Sequence, residues 1–109
     1  MAKSGPGMLK WKPIEMLSRV HAFVSGRVQG VAYRYFAERR ATEIAVTGWV
    51  RNLRDGRVEI MAEGKKADLE SFLGFLRQGP RMAKVDDLDF LWEDYRGEFE
   101  DFRIEFTAY

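Results

Sequence analysis

The segment Gly26–Arg34 most constrains the fold, because the residue pattern changes across it from that of a strand to that of a helix. Before this segment, residues 19–25 alternate and place Val20, Ala22 and Val24 on one side of a half-buried strand. After it, apolar residues recur at helical spacing, namely Tyr33, Phe36, Ala37, Ala41 and Ile44. The segment therefore predicts a glycine-containing turn that leaves a strand and enters the N-terminus of a helix.

A turn of this kind brings backbone donors together. Its free N–H groups point into one concavity, and the helix dipole adds partial positive charge there. Arg34 lies in the first helical turn and brings a planar fork of donors to the same place. The segment thus predicts an anion pocket for a phosphoryl group. The alternative is an ordinary strand–helix turn with a surface arginine, because short glycine motifs have many false positives.

The remaining patterns indicate two further strands, a second helix and then the last strands. The elements are a strand over 46–52, an Asp55-Gly56 hairpin turn, a strand over 57–62, a helix from about Ala67 to Gly79-Pro80, a strand through Leu88, Phe90 and Trp92, and a final strand through Phe102, Ile104 and Phe106. Val85 has the opposite parity to Leu88, so a bulge is predicted at Asp86-Asp87.

This order predicts an α+β fold, a ferredoxin-like two-layer sandwich. Its order is β-α-β-β-α-β with an extra final strand, and an antiparallel sheet carries both helices on one face. Residues 1–16 have no clear period and are expected to form an irregular N-terminal arm. Residues 17–109 are expected to form the single domain.

Composition excludes several classes of function. Eighteen basic and seventeen acidic residues nearly cancel, so we expect neither nucleic acid nor a membrane as a partner. The lack of cysteine excludes thiolate catalysis, disulfides and zinc–thiolate sites. We expect a monomer without metal or cofactor, and we interpret the acidic groups at 86–89 and 98–101 as solvated. No apolar run reaches membrane length and the first seventeen residues lack a signal-like segment, which predicts a cytoplasmic protein.

The amide side chains are few. The chain has one asparagine, Asn52, and two glutamines, Gln29 and Gln78. This scarcity, together with abundant Lys, Arg and Glu, indicates adaptation to heat, although five methionines argue mildly against it. Taken alone, Asn52 is best interpreted as a turn residue that caps its own backbone. The only histidine, His21, lies on a strand beside Phe23 and is interpreted as structural.

Two separated motifs together resemble the acylphosphatase family. They are Val28-Gln29-Gly30-Val31-Ala32-Tyr33-Arg34 and Gly48-Trp49-Val50-Arg51-Asn52, the second followed by Asp55-Gly56. The resemblance covers residues 17–106 and implies hydrolysis of acyl phosphates to a carboxylate and inorganic phosphate, without metal. It also implies that Asn52 orients the attacking water and that the phosphoryl oxygens are bound by Arg34 and the loop amides of Gln29, Gly30, Val31, Ala32 and Tyr33.

The chain departs from the family pattern at two positions. Ala32 stands where a bulky residue is common, which is expected to change the packing beneath the loop rather than the chemistry. Ala45 stands where many relatives have glycine, and alanine costs roughly 1 kcal/mol or more in a left-handed helix cap. Either the helix ends differently or this strain is tolerated.

The chemistry is consistent with the residues. A carboxylate leaving group has a conjugate acid with a pKa of about 4, so it departs unprotonated and needs no general acid. Two other functions stay open. One is RNA binding on the same architecture, although strand three offers no aromatic residue for stacking. The other is an inactive domain that binds phosphate or contacts a protein.

Overall fold

A computed structural model describes residues 16–106, so the predicted N-terminal arm lies outside the described residues except for Met16. The elements are β1 (Leu17–Arg27), α1 (Tyr33–Glu43), β2 (Thr47–Asn52), β3 (Val58–Lys65), α2 (Lys66–Gln78), β4 (Lys84–Glu93) and β5 (Phe102–Ile104). They form one sheet in the order β4-β1-β3-β2-β5, with the helices packed on it. The predicted ferredoxin-like fold is confirmed. Neither helix is long and apolar enough within residues 16–106 to span a membrane.

The fifth strand corrects one part of the prediction. β5 pairs with β2 in parallel, with Gly48 opposite Phe102, so the sheet is mixed rather than wholly antiparallel. The reason is the direction of the chain. β4 runs antiparallel to β1, and the connection over 94–101 then reverses the chain before it reaches the free edge of β2. β5 therefore runs in the same direction as β2.

The core lies between the sheet and the helices. Val20, Ala22 and Val24 of β1 are fully buried, as the alternation predicts. They pack in one cluster with Val58, Ile60 and Ala62 of β3 and with apolar side chains of both helices, including Tyr33, Ala37, Ala41, Leu69, Phe72 and Leu76. Each fully buried large apolar side chain contributes about 1.5–3 kcal/mol relative to exposure, so this layer provides the main stabilisation.

The predicted bulge in β4 is present. Ser25 pairs with Asp87 and Gly26 with Val85, which leaves Asp86 as the extra residue. A Cβ atom on Gly26 would lie 2.2 Å from the carbonyl oxygen of Lys84, so the close strand pairing requires glycine there. The bulge changes the parity of β4 and lets Val85 pack against the core.

α1 ends in a left-handed cap at Ala45, a conformation that is strained for alanine. Ala45 has φ +61°, its N–H donates to the carbonyl of Thr42, and the N–H of Val46 donates to the carbonyl of Ala41. These two bonds define a Schellman motif, which normally ends in glycine. The strain of about 1–2 kcal/mol for a left-handed alanine is therefore tolerated rather than avoided.

The sheet face opposite the helices carries buried charges. Arg19 and Glu63 are 5% and 1% exposed and pair at 3.3 Å between Nη1 and Oε2. The Glu63 carboxylate also accepts the N–H groups of Arg96, at 2.8 Å, and Glu98, at 2.9 Å. Arg19 pairs in addition with Glu93 and Glu98. These contacts hold the connection 94–101 across the outer face of the sheet.

His21 lies on the same outer face of the sheet, which agrees with its interpretation as a structural residue. Its Nε2 is 2.6 Å from Oε2 of Glu59, and its ring packs at 4.8 Å from that of Phe23. Arg51 also binds Glu59, through Nε at 2.7 Å. His21 is thus part of a network of polar contacts on the sheet rather than of a cleft.

Burial alone would raise the pKa of the Glu63 carboxyl, but the N–H groups of Glu98 and Arg96 and the Arg19 guanidinium outweigh it and hold that pKa below its ordinary value. The contribution of Glu63 to stability is therefore complete above its ordinary pKa of 4.5 and is lost as the pH falls through the folded-state pKa.

We expect Glu63→Gln to lower the free energy of unfolding by about 1–3 kcal/mol at neutral pH, because the backbone donors lose a charged acceptor. The difference from wild type should shrink in acid, where Glu63 is protonated. Urea denaturation at pH 7 and at a series of pH values below 4.5 measures this difference, and Glu70→Gln on the exposed side of α2 is the control. An equal loss at every pH value would contradict the assignment.

Candidate active site

Strand register brings the two motifs together. Val24 near the end of β1 pairs with Val58 at the start of β3, and Val58 pairs with Asn52 at the end of β2. These three residues form one row across the sheet. The loop that follows β1 and the hairpin that follows β2 therefore lie side by side, although more than twenty residues of sequence separate them.

The side chain of Gln29 ties the loop to the hairpin. Its Nε2 donates to the carbonyl of Leu53 at 2.7 Å and to the carbonyl of Arg57 at 2.8 Å. An amide nitrogen carries two protons, so both are used. The N–H of Leu53 also donates to the carbonyl of Arg57, which closes the hairpin at the point where Gln29 binds it. No local pattern in the sequence indicates this role.

A pocket of about 180 Å³ lies beside this junction, lined by Val28, Gly30, Ala32, Tyr33, Arg34, Tyr35, Asn52 and Ile104. Among the predicted site residues, Gly30, Ala32, Tyr33, Arg34 and Asn52 therefore share one cavity. Gln29 and Val31 do not line it, and Val31 packs against the core instead. Val28, Tyr35 and Ile104 were not predicted, and only the final strand brings Ile104 here.

The loop turns through two left-handed residues, Gly30 with φ +73° and Ala32 with φ +63°. A Cβ atom on Gly30 would meet nothing within 4 Å, so the loop is open on that side. Ala32 is exposed, so a larger side chain at this position would lie on the surface. The prediction that alanine here changes the packing beneath the loop is therefore wrong. The strain at Ala32, about 1–2 kcal/mol, lies in the wall of the pocket, as is common at functional sites.

The N-terminus of α1 carries uncompensated positive potential. Ala32 is the cap residue and forms no side-chain capping bond, and the first turn holds no acidic residue. The first N–H groups of a helix have no acceptor within the helix. Donors and dipole together therefore favour an anion at this end of α1.

Arg34 and Asn52 both line the pocket. Arg34 is half-buried, and its Nη1 lies 3.4 Å from the carbonyl of Glu105, just after β5. Asn52 Oδ1 is buried and accepts no hydrogen bond from residues 16–106. A buried amide oxygen without a donor costs about 1–3 kcal/mol, so it requires a donor such as a bound water or ligand.

The side chain of Tyr33 has a structural role beside the pocket. Its side chain is 1% exposed, and the hydroxyl donates to the carbonyl of Leu76 at 2.6 Å. Burial raises the pKa of Tyr33 well above its ordinary value, so the phenol stays protonated. The ring anchors α1 to α2. Within residues 16–106 no three His, Asp or Glu side chains are grouped to hold a metal ion.

A sequence model described as acylphosphatase matches residues 20–104, which is most of the chain. The chain belongs to the acylphosphatase family. The Methylococcus capsulatus acylphosphatase is 49% identical over 88 residues, which are 81% of this chain and 96% of that protein. The Thermus thermophilus acylphosphatase is 49% identical over 81 residues, 74% of this chain and 92% of that protein.

The solved structures agree with the sequence comparison. The crystal structure of the acylphosphatase from Bacillus subtilis is similar with a TM-score of 0.79 at 39% identity, and the match covers 83% of this chain and 99% of that one. The resemblance inferred from the two motifs is confirmed. The acylphosphatase-family domain of this chain therefore contains the whole of the described pocket.

We expect Gln29→Leu to lower the free energy of unfolding by about 1–3 kcal/mol, because two hydrogen bonds between loop and hairpin are lost. Gln78→Leu makes the same change at the other glutamine, which is exposed at the end of α2, and should stay within about 0.5 kcal/mol of wild type. Denaturant unfolding of both variants measures the difference. Equal effects would contradict the structural role of Gln29.

Proposed function

We propose that this chain hydrolyses the carboxyl–phosphate bond of acyl phosphates and releases a carboxylate and inorganic phosphate. The observation that carries the proposal is one pocket lined by Arg34, by the N-terminus of α1 and by Asn52, whose buried Oδ1 has no hydrogen-bond donor among residues 16–106. Membership of the acylphosphatase family supports the same activity.

In this proposal the phosphoryl group occupies the anion-binding end of the pocket. The backbone amides of Gly30, Ala32 and Tyr33 and the guanidinium of Arg34 donate to its oxygens. Phosphoryl transfer depends mainly on positioning and on donors that stabilise charge on the equatorial oxygens. Gln29 contributes through its side chain, which holds the loop beside the hairpin.

Asn52 orients the attacking water. Its amide is not a base, but Oδ1 can accept a hydrogen bond from the water and hold the water oxygen in line with the bond that breaks. The water oxygen then attacks phosphorus, and the carboxylate leaves with the bonding electron pair. Because that leaving group has a conjugate acid with a pKa of about 4, no side chain has to protonate it. The contribution of Asn52 is therefore one of position.

The decisive experiment compares variants of the two residues in hydrolysis of a model acyl phosphate. Arg34→Ala should lower turnover by about 10³ or more, and Arg34→Lys should recover only part of it, because a lysine cannot make paired bonds. Asn52→Ala should lower turnover by about 10² and leave inhibition by inorganic phosphate nearly intact. Phosphate affinity thus separates the two roles.

The controls test fold and metal dependence. Arg77→Ala, an exposed arginine at the end of α2, should keep wild-type turnover. EDTA should not inhibit the wild-type enzyme. Wild-type rates for Asn52→Ala would refute the water-orienting role, and activity that requires an added metal ion would refute the mechanism.

The proposal includes four further expectations. The enzyme acts as a metal-independent monomer in the cytoplasm, and residues 17–109 are its domain. Adaptation to heat also stays a prediction, and a melting midpoint in the range of mesophilic domains would contradict it. Notably, the single asparagine and one of the two glutamines lie at the proposed site.

No observation favours RNA binding over this activity. The outer sheet face does carry Phe23 and Trp49, but the guanidiniums of Arg57 and Arg51 lie over these rings at 4.8 and 4.7 Å from the ring centroids. The buried carboxylate Glu59 lies on the same face. Bases that need an open aromatic surface for stacking would have to displace these arginines.

A further inference from the structure

The pocket lined by Arg34 and Asn52, proposed above to bind the phosphoryl group, is called the phosphate pocket. We infer that a second pocket beside it binds the acyl group of the substrate and favours acyl groups that carry a second negative charge. The inference rests on the proposed function. This acyl pocket, about 180 Å³, is lined by Ala32, Tyr35, Phe36, Arg39, Arg40 and Pro80. Ala32 and Tyr35 line the phosphate pocket as well, so the two cavities are neighbours.

The side chain that Ala32 contributes to the boundary between the two pockets is small. Ala32 is exposed and presents only a methyl group there. Because its φ of +63° is left-handed, the backbone at this point turns sharply into α1. A ligand whose phosphoryl group lies against the start of α1 can therefore extend past Ala32 into the acyl pocket.

The acyl pocket follows one stripe of α1. Positions 35 and 36 follow position 32 by three and four residues, and positions 39 and 40 follow position 36 by three and four residues. All five positions therefore lie on the same helical face. With a rise of 1.5 Å per residue, position 39 is roughly 10 Å along the axis from position 32. Long helical side chains lean toward the N-terminus, which brings the two guanidiniums nearer to the phosphate pocket. Pro80, after α2, lines the pocket as well.

The two arginines are held by aromatic rings. The Arg40 guanidinium lies 4.4 Å from the ring centroid of Phe75 and 5.5 Å from that of Phe36. The Arg39 guanidinium lies 5.9 Å from the ring centroid of Tyr35. Such stacking orders a guanidinium while leaving its charge in place.

The carboxylate of Glu43 pairs with both Arg39 and Arg40. Glu43 pairs with Arg40 at 3.2 Å and with Arg39 at 4.0 Å, and no other ion pair to either arginine is found within residues 16–106. Two guanidiniums against one carboxylate leave net positive charge beside an aromatic wall. This combination suits an acyl phosphate whose carbon skeleton contacts the rings and whose far end is a carboxylate, that is, a mono-acyl phosphate of a dicarboxylic acid.

The test uses a rigid pair of probes, benzoyl phosphate and para-carboxybenzoyl phosphate, with acetyl phosphate as the small reference. After correction for uncatalysed hydrolysis, wild-type kcat/KM should be about fivefold higher for the carboxylated probe, the upper range for a partly exposed ion pair. The preference should fall as salt concentration rises, because the charges are screened.

Arg39→Gln and Arg40→Gln should each reduce the ratio of kcat/KM between the two benzoyl probes to near one. Arg77→Gln makes the same change at an exposed arginine of α2 and should keep the wild-type ratio. The Arg39 side chain is 63% exposed, so its variant tests the inference even if loss of the stacked Arg40 disturbs folding.

The outcomes separate the two proposals. If wild type hydrolyses none of the three probes, the proposed function fails. If it hydrolyses acetyl and benzoyl phosphate but shows no preference for the carboxylated probe, the acyl pocket alone is refuted. A preference that persists unchanged in Arg39→Gln and Arg40→Gln also refutes the pocket and leaves the hydrolase activity standing.

Discussion

The pairing of β3 with two neighbours is the constraint on which the site depends. Val58 faces Val24 of β1 on one side and Asn52 of β2 on the other. This row places the C-terminal ends of β1 and β2 at the same end of the sheet. A slip of one residue in either pairing would turn every side chain of the strand to the other face, so the buried valines of the core also set the position of the pocket.

Several local features around the pocket reduce stability. The N-terminus of α1 has no side-chain cap, Ala32 is left-handed, and Asn52 has a buried oxygen without a donor. Ala45 makes a useful contrast, because it has the same left-handed conformation but lies in a Schellman cap whose hydrogen bonds are formed. In the proposed mechanism, an anion at the N-terminus of α1 and a water at Asn52 complete these features, as expected where strain and unpaired polar groups belong to function.

The outer face of the sheet also bears on the site. Glu63 and Arg19 hold the connection 94–101 against that face, and this connection delivers β5 to the edge of β2. Ile104 of β5 then lines the phosphate pocket, and the carbonyl of Glu105 lies near the Arg34 guanidinium. A buried charge network on one side of the sheet thus helps to position a pocket at its end.

The sequence by itself determined the strand, turn and helix around Gly26–Arg34 and predicted an anion pocket there, because strand alternation, helical spacing and turn glycines are local properties of the chain. The two motifs together indicated the family, and the resemblance implied a joint function for Arg34 and Asn52. The parity of Val85 and Leu88 predicted the bulge at Asp86-Asp87. Only the tertiary structure decided that β5 runs parallel to β2, that Gln29 binds the hairpin carbonyls, and that Ile104 lines the cavity. These features depend on which distant backbone segments become neighbours, and that is set by sheet register and by where a long connection meets a free edge, which no local pattern encodes.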